Sequence, residues 1–86
     1  MNWKRIATSD PSISPANVRV EISDTRYRVR ITSKDWTRQY RADNLPELMR
    51  IAISAESRMV PADQHAIVAI RETIYQAEDY VPELAE

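Results

Sequence analysis

The chain has 86 residues and a formal net charge of −1, with 29% charged and 43% hydrophobic residues, the composition of one ordinary globular domain rather than a disordered segment. It has no cysteine and no glycine, which excludes a disulfide framework, thiolate chemistry and the glycine-rich loops that cradle phosphates. The charge is divided by position: residues 1–41 carry nine Lys/Arg against four acids, and residues 42–86 carry three against nine.

The first residues, Met1-Asn2-Trp3-Lys4-Arg5-Ile6, lack the apolar core and small-residue cleavage site of a secretory signal. No apolar run approaches the ~18 residues of a membrane span. A cytoplasmic address without membrane attachment is the expectation. Trp3 and Ile6 should dock on the core as a short strand or one helical turn. Residues 7–17, with Pro11, Pro15 and several Ser and Asp, read as a loop.

Val18-Arg-Val-Glu-Ile-Ser23 and Arg26-Tyr-Arg-Val-Arg-Ile31 alternate with period two around Asp24-Thr25, which predicts a β-hairpin with a tight, glycine-free turn. Val18, Val20 and Ile22 share one face of the first strand; Tyr27, Val29 and Ile31 share one face of the second. A third strand is expected over Asp35–Ala42. Its more apolar set, Trp36, Arg38, Tyr40 and Ala42, should face the core. That leaves Arg38 at a sheet edge, with a carboxylate partner, or displaced by a bulge.

Asn44-Leu45-Pro46-Glu47 has the signature of a helix start: a capping Asn, a first-turn Pro and Glu three residues after the cap. The stripe Leu45, Leu48, Ala52, Ala55 and Met59 predicts a helix over 45–58. A second, over 62–80, follows from Ala66, Ile67, Ile70, Ile74, Ala77 and Val81, with Pro82 ending it and 82–86 as an acidic tail. The expected fold is α+β: a single domain, residues 1–86, comprising an N-terminal segment and loop over 1–17, a three-stranded antiparallel meander over 18–42, and two helices over 45–80 packed on one sheet face. The other face would carry Arg19, Glu21, Arg26, Arg28 and Arg30 into solvent.

Catalytic motifs are weak. His65 is the single histidine, and Asp63, two residues earlier, does not face it on a helix. It reads as a surface residue, and one His without cysteines offers no metal-ligand spacing. The carboxylate pairs Glu78-Asp79 and Glu83 with Glu86 read as solvated acidic surface. Five acids of the helical half, Glu72, Glu78, Asp79, Glu83 and Glu86, could imitate phosphates, but a net charge of −1 argues against mimicry as the sole mechanism.

The arginines are the stronger signal. Arg26, Arg28 and Arg30 alternate on one strand, so their side chains project ~6.6–7 Å apart on one face. That spacing is close to the ~6–7 Å step between successive phosphates of a nucleic-acid strand. Arg19 and Arg41 could extend the patch. Tyr27 falls on the opposite face, so the expectation includes no aromatic among these arginines. A solvated outer face with Glu21 paired to an Arg is the bland alternative.

The layout, a hairpin such as Val18–Ile31 beside helices such as 45–58 and 62–80, resembles small phage- or mobile-element-encoded inhibitors, including some anti-CRISPR proteins. That resemblance implies a binding role without cofactor or chemistry and transfers no functional residue. The expected function is a non-enzymatic interaction module: an inhibitor or adaptor that binds a protein or protein–nucleic-acid complex through Arg19, Arg26, Arg28 and Arg30. No catalytic residue, metal or cofactor is expected. Direct nucleic-acid binding is the alternative, a small enzyme a weaker one, and complementary faces with open sheet edges also allow a homodimer.

Overall fold

The computed structural model describes residues 2–80. They form a four-stranded antiparallel sheet followed by two helices: β1 Lys4–Thr8, β2 Asn17–Ser23, β3 Arg26–Thr32, β4 Thr37–Ala42, α1 Leu45–Ser57 and α2 Gln64–Glu78. The sheet order is β1-β2-β3-β4, so β1 and β4 are its edges. The α+β class, the antiparallel meander and the two helices agree with the pattern in the sequence. The strand number does not, since the expected three are four.

The additional strand comes from the first residues, where the sequence allowed a short strand or one helical turn, and it runs into the start of the segment 7–17 expected to be a loop. Arg5 pairs with Glu21 and Ala7 with Val20, which leaves Ile6 as the extra residue of a β-bulge. The bulge puts Arg5 on the outer face and Ala7 on the inner one although they are two residues apart, so the period-two signal that marks a strand is absent. The loop that follows substitutes side-chain acceptors for glycine. The Val18 N–H donates to Ser9 Oγ at 2.9 Å, the Ser12 N–H to Asp10 Oδ1 at 2.9 Å, and the Ala16 N–H to Ser14 Oγ at 3.1 Å. Small polar side chains holding their own backbone in this way are turn-formers.

The β2–β3 register pairs Ser23 with Arg26 and leaves Asp24-Thr25 as the two-residue turn. Asp24 adopts the left-handed region at φ 54°, a conformation Asp tolerates better than most residues other than glycine. Asn44 Oδ1 accepts the Glu47 N–H at 2.8 Å and starts α1. The Glu47 carboxylate turns to Arg50 rather than back to the cap. Asp63 Oδ1 accepts the Ala66 N–H at 3.1 Å, so α2 begins at Gln64. The acidic tail expected at 82–86 lies outside the described residues.

Both helices cover the same sheet face. α1 lies against β3 and β4, α2 against β2 and β1, and the helices pack on each other. Val18, Val20, Val29 and Ile31 meet Leu48, Ala52, Ile70 and Ile74 in the core, and alanines at 69 and 77 keep the layers close. Each fully buried aliphatic side chain contributes about 1.5–3 kcal/mol.

The polar centre of this layer is Glu56. It lies on the stripe of Leu48 and Ala52 and is 1% exposed. Arg38 of β4 donates to it through Nε at 2.7 Å and a terminal nitrogen at 2.9 Å, and the Tyr40 hydroxyl donates at 2.7 Å. Trp36 stacks on the Arg38 guanidinium at 3.7 Å. Of the resolutions open to a core-facing Arg38, the fold uses two: β4 is an edge strand, and Arg38 has a carboxylate partner. Burial pushes the Glu56 carboxyl up, but the hydrogen bonds from Arg38 and Tyr40 outweigh it and hold the group below the ordinary range. Burial first, and then the bond to Glu56, push the Tyr40 phenol up to about 12.

These directions fix the pH dependence. The folded phenol keeps its proton to about pH 12 and the unfolded one loses it near 10, so its contribution is full below pH 10 and disappears as pH rises towards 12. Glu56 acts in the opposite sense: its contribution is full above an ordinary carboxyl pKa of 4.5 and is lost as pH falls through its lowered value. Tyr40→Phe should lower the unfolding free energy at pH 7 by about 1–3 kcal/mol. The gap from wild type should close between pH 10 and 12, and urea unfolding across that range checks it; a constant gap would contradict it. Arg38→Met should cost about 3 kcal/mol at neutral pH, because it leaves a buried carboxylate without its cation. That loss should shrink on acidification, since burial then dominates and Glu56 takes up a proton; circular-dichroism melts at pH 7 and pH 4.5 would show it.

Candidate functional site

The face of the sheet away from the helices carries the arginines, and strand register arranges them in rows. One row crosses the sheet as Arg5, Glu21, Arg28 and Arg41; the next reads Thr8, Arg19, Arg30 and Gln39. Rows on one face are ~6.6–6.8 Å apart along the strands, and neighbours within a row are about 4.8 Å apart across them. The two rows hold five arginines and one carboxylate. Arg26 shares the face one step towards the hairpin turn and is 3.4 Å from Asp43.

The four arginines expected to form the site, Arg19, Arg26, Arg28 and Arg30, do lie on one face, but their environments differ. Arg28 and Glu21 do not project into solvent as expected; they are 9% and 6% exposed. Arg28 Nε donates to Glu21 Oε1 at 2.7 Å, and a terminal nitrogen lies 2.6 Å from the same oxygen. Trp3 covers the pair, with its ring centroid 4.3 Å from the Arg28 guanidinium carbon and 5.8 Å from that of Arg41. The burial has a direct cause: a guanidinium neutralised by a carboxylate can be desolvated, and an indole face is a favourable lid for it.

Trp3 was expected on the core. It lies on the outer face because strand alternation from Arg5 carries it there. The expected lack of an aromatic among the arginines is therefore corrected. The parity of Trp3 with Arg5 could have shown this from sequence, had the first strand been recognised.

Arg19 and Arg30 are the uncompensated members. They stand directly opposite each other on β2 and β3 and are half-buried. The Nε of each is buried without a hydrogen-bond partner among the described residues. Like charges directly opposed in a sheet are unfavourable, and no carboxylate among the described residues offsets this pair. Arg41 and Arg5 are exposed at the ends of their row.

Elsewhere, His65 is exposed on α2. An open cleft of about 640 Å³ at the hairpin end is lined by Tyr27, Leu45 and Tyr80 with Asp24, Asp43 and Glu78. A second, of about 520 Å³, lies between Trp36 and the Met59–Asp63 connection. Among the described residues no group of three His, Cys, Asp or Glu side chains is placed to hold a metal ion, and no helix is long and apolar enough to cross a membrane. No protein-family model, curated protein or solved structure matches the chain.

Glu21 is the test of this arrangement. Glu21→Ala leaves Arg5, Arg28 and Arg41 in one row without a counter-charge, and the expected loss is about 2–4 kcal/mol. Raising salt from 50 mM to 500 mM should recover part of it, because salt screens exposed like charges. Thermal melts of wild type and variant at both ionic strengths check this, and a salt-independent loss would show that Glu21 acts through packing alone.

Proposed function

We propose that the protein is a non-enzymatic interaction module whose basic sheet face engages an anionic surface on a larger partner, as an adaptor or inhibitor would. The observation that carries this reading is the pair Arg19 and Arg30. They are opposed, half-buried and without a carboxylate among the described residues, in a face where every other arginine near the centre is already neutralised or capped. Glu21 meets Arg28 in the neighbouring row, whereas the row of Arg19 and Arg30 ends in Thr8 and Gln39 and holds no acid.

The fold supports the reading in a second way. The two rows hold five arginines and one acid while most acids lie elsewhere in the chain, so a chain of net charge −1 presents a local excess of four positive charges on them. Such a face attracts polyanions at distances of about a Debye length, roughly 10 Å at 0.1 M salt, where the acids of the helical half are screened. The useful contacts are Arg19, Arg30 and Arg41, with Arg26 and Arg5 at the margins. Arg28 acts differently: it fixes Glu21 and seats Trp3.

Retention on immobilised heparin is the direct test. Wild type should be retained at low salt despite its negative net charge. Arg19→Ser with Arg30→Ser should elute at markedly lower salt with an unchanged circular-dichroism spectrum, and adding Arg41→Ser should lower it further, while Arg58→Ser with Arg71→Ser, the same change of two charges on the helical half, should elute with wild type. Failure of wild type to be retained, or equal shifts in both variants, would reject the face as the site.

A further inference from the structure

We infer that the anionic partner of this face is a single-stranded nucleic acid, with a base stacked at Trp3 and the backbone running over Arg19, Arg30 and Arg41. The inference rests on the reading of the face as an anion site and adds the identity of the anion. Three observations carry it.

The first is Trp3. An anion site for a protein carboxylate or an inorganic phosphate needs cations alone, whereas this face has an aromatic ring set among them, half-buried and backed by Arg28 at 4.3 Å. Single-strand binders combine this pair of features: cations that follow the backbone, and rings on which bases of any sequence stack. A sheet that binds RNA likewise presents its aromatics on the exposed face, where unstacked bases can reach them. Arg28 beneath the indole is itself bonded to Glu21, so the ring rests on a buried ion pair.

The second is spacing. Arg41 and Arg28 belong to one row and Arg30 and Arg19 to the next, and rows ~6.6–6.8 Å apart match the ~6–7 Å between successive phosphates of one strand. Arg19 and Arg30 directly opposite each other can share one phosphate, whose oxygens accept from both forks and relieve the repulsion between them.

The third is shape. A four-stranded sheet spans three inter-strand steps, or ~14 Å between edge-strand axes before side chains are added. The major groove of B-form DNA is about 12 Å wide and admits a helix or a two-stranded ribbon. This face cannot enter it, and a paired base cannot reach Trp3. A strand with free bases meets neither obstacle.

The test uses the full chain and labelled oligonucleotides at low salt. The probes are a single-stranded oligothymidylate on the order of a dozen nucleotides, near the site size of small single-strand-binding domains, the duplex of the same length, and inorganic polyphosphate of matched charge as competitor. The chain has two tryptophans, so Trp36→Phe leaves Trp3 as the sole indole reporter. The single strand should bind more tightly than the duplex and quench Trp3 fluorescence. Trp3→Ala should weaken single-strand binding by roughly 5- to 100-fold, the worth of one stacked base, and Trp3→Phe should retain most of it. Because Trp3→Phe keeps a ring over Arg28, its retention separates stacking from any damage done by Trp3→Ala. Arg19→Ser with Arg30→Ser should weaken the single strand and polyphosphate alike.

Equal binding of polyphosphate and oligonucleotide, indifferent to Trp3, would overturn the inference and leave a general anion or acidic-protein site. Tighter binding of the duplex would also overturn it, as would retention on heparin without oligonucleotide binding. Loss of heparin retention in the wild type would instead reject the underlying reading of the face.

Discussion

Glu21 is the single carboxylate in two rows of arginines, and the outer face of the sheet is organised around it. Its partner across the β2–β3 ladder is Arg28, and its partner across the β1–β2 ladder is Arg5. Without that acid the row would hold only guanidiniums, Arg28 and Arg41 one inter-strand step of about 4.8 Å apart and Arg5 two steps, roughly 10 Å, from Arg28, a repulsive arrangement on the surface of a domain whose total stability is of the order of 5–15 kcal/mol. With it, one guanidinium is neutralised and desolvated, and Trp3 can close over it. The lid gives the bulged edge strand β1, which pairs with β2 alone, a further anchor on the outer face. The edge strand, the seat of the tryptophan and the state of Arg28 therefore follow from one ion pair.

The inner face uses the same device. Glu56 is the one carboxylate among the buried residues of the helices, and it takes Arg38 and Tyr40 from β4. Here too an aromatic ring, Trp36, covers the arginine. The two Glu–Arg–Trp assemblies differ in what they join. Glu21 ties neighbouring strands, whereas Glu56 ties an edge strand to a helix and so fixes the helical layer on the sheet. A buried ion pair adds little net stability over a well-packed apolar contact, but it tolerates only one alignment of β4 on α1. In a domain without glycine or phenylalanine, whose core is built largely of alanine, valine and isoleucine, that directional contact supplies orientation that the small side chains do not.

Period-two alternation was legible wherever the ladder is regular. The β2–β3 hairpin, its Asp24-Thr25 turn and the common direction of Arg19, Arg26, Arg28 and Arg30 could all be read from residue types alone, because each side chain's face is determined two residues at a time. The helix starts at Asn44 and Asp63 were within reach for the same local reason: a capping side chain bonds a backbone N–H three residues away. What escaped was non-local. The bulge at Ile6 removes the alternation that would have marked β1, and with it the strand count and the face of Trp3. Glu56 sits on the Leu48–Ala52 stripe, so a helical reading that collects apolar residues passes over it, although an arginine among the core-facing residues of β4 required a carboxylate somewhere on the opposing layer. Exposure was equally hidden. Alternation gives the direction in which Arg28 points but not that a tryptophan 25 positions earlier lies over it.

The consequence for function is a division of labour among residues that look equivalent in sequence. Arg28 and Arg38 are held by buried glutamates and covered by tryptophans, and removing either would unsettle the fold before it revealed anything about binding. Arg26 is offset by Asp43. Arg19 and Arg30 are left, forced opposite each other by the register that the hairpin turn imposes. No acid on β1 or β4 reaches them, because their row ends in Thr8 and Gln39. A net charge near zero conceals this, since nine of the thirteen acids fall in residues 42–86 and only Glu21 lies in the two arginine rows. Charge segregation by architecture, rather than an excess of basic residues, is what allows so nearly neutral a chain to offer a cationic surface with an aromatic ring already positioned in it.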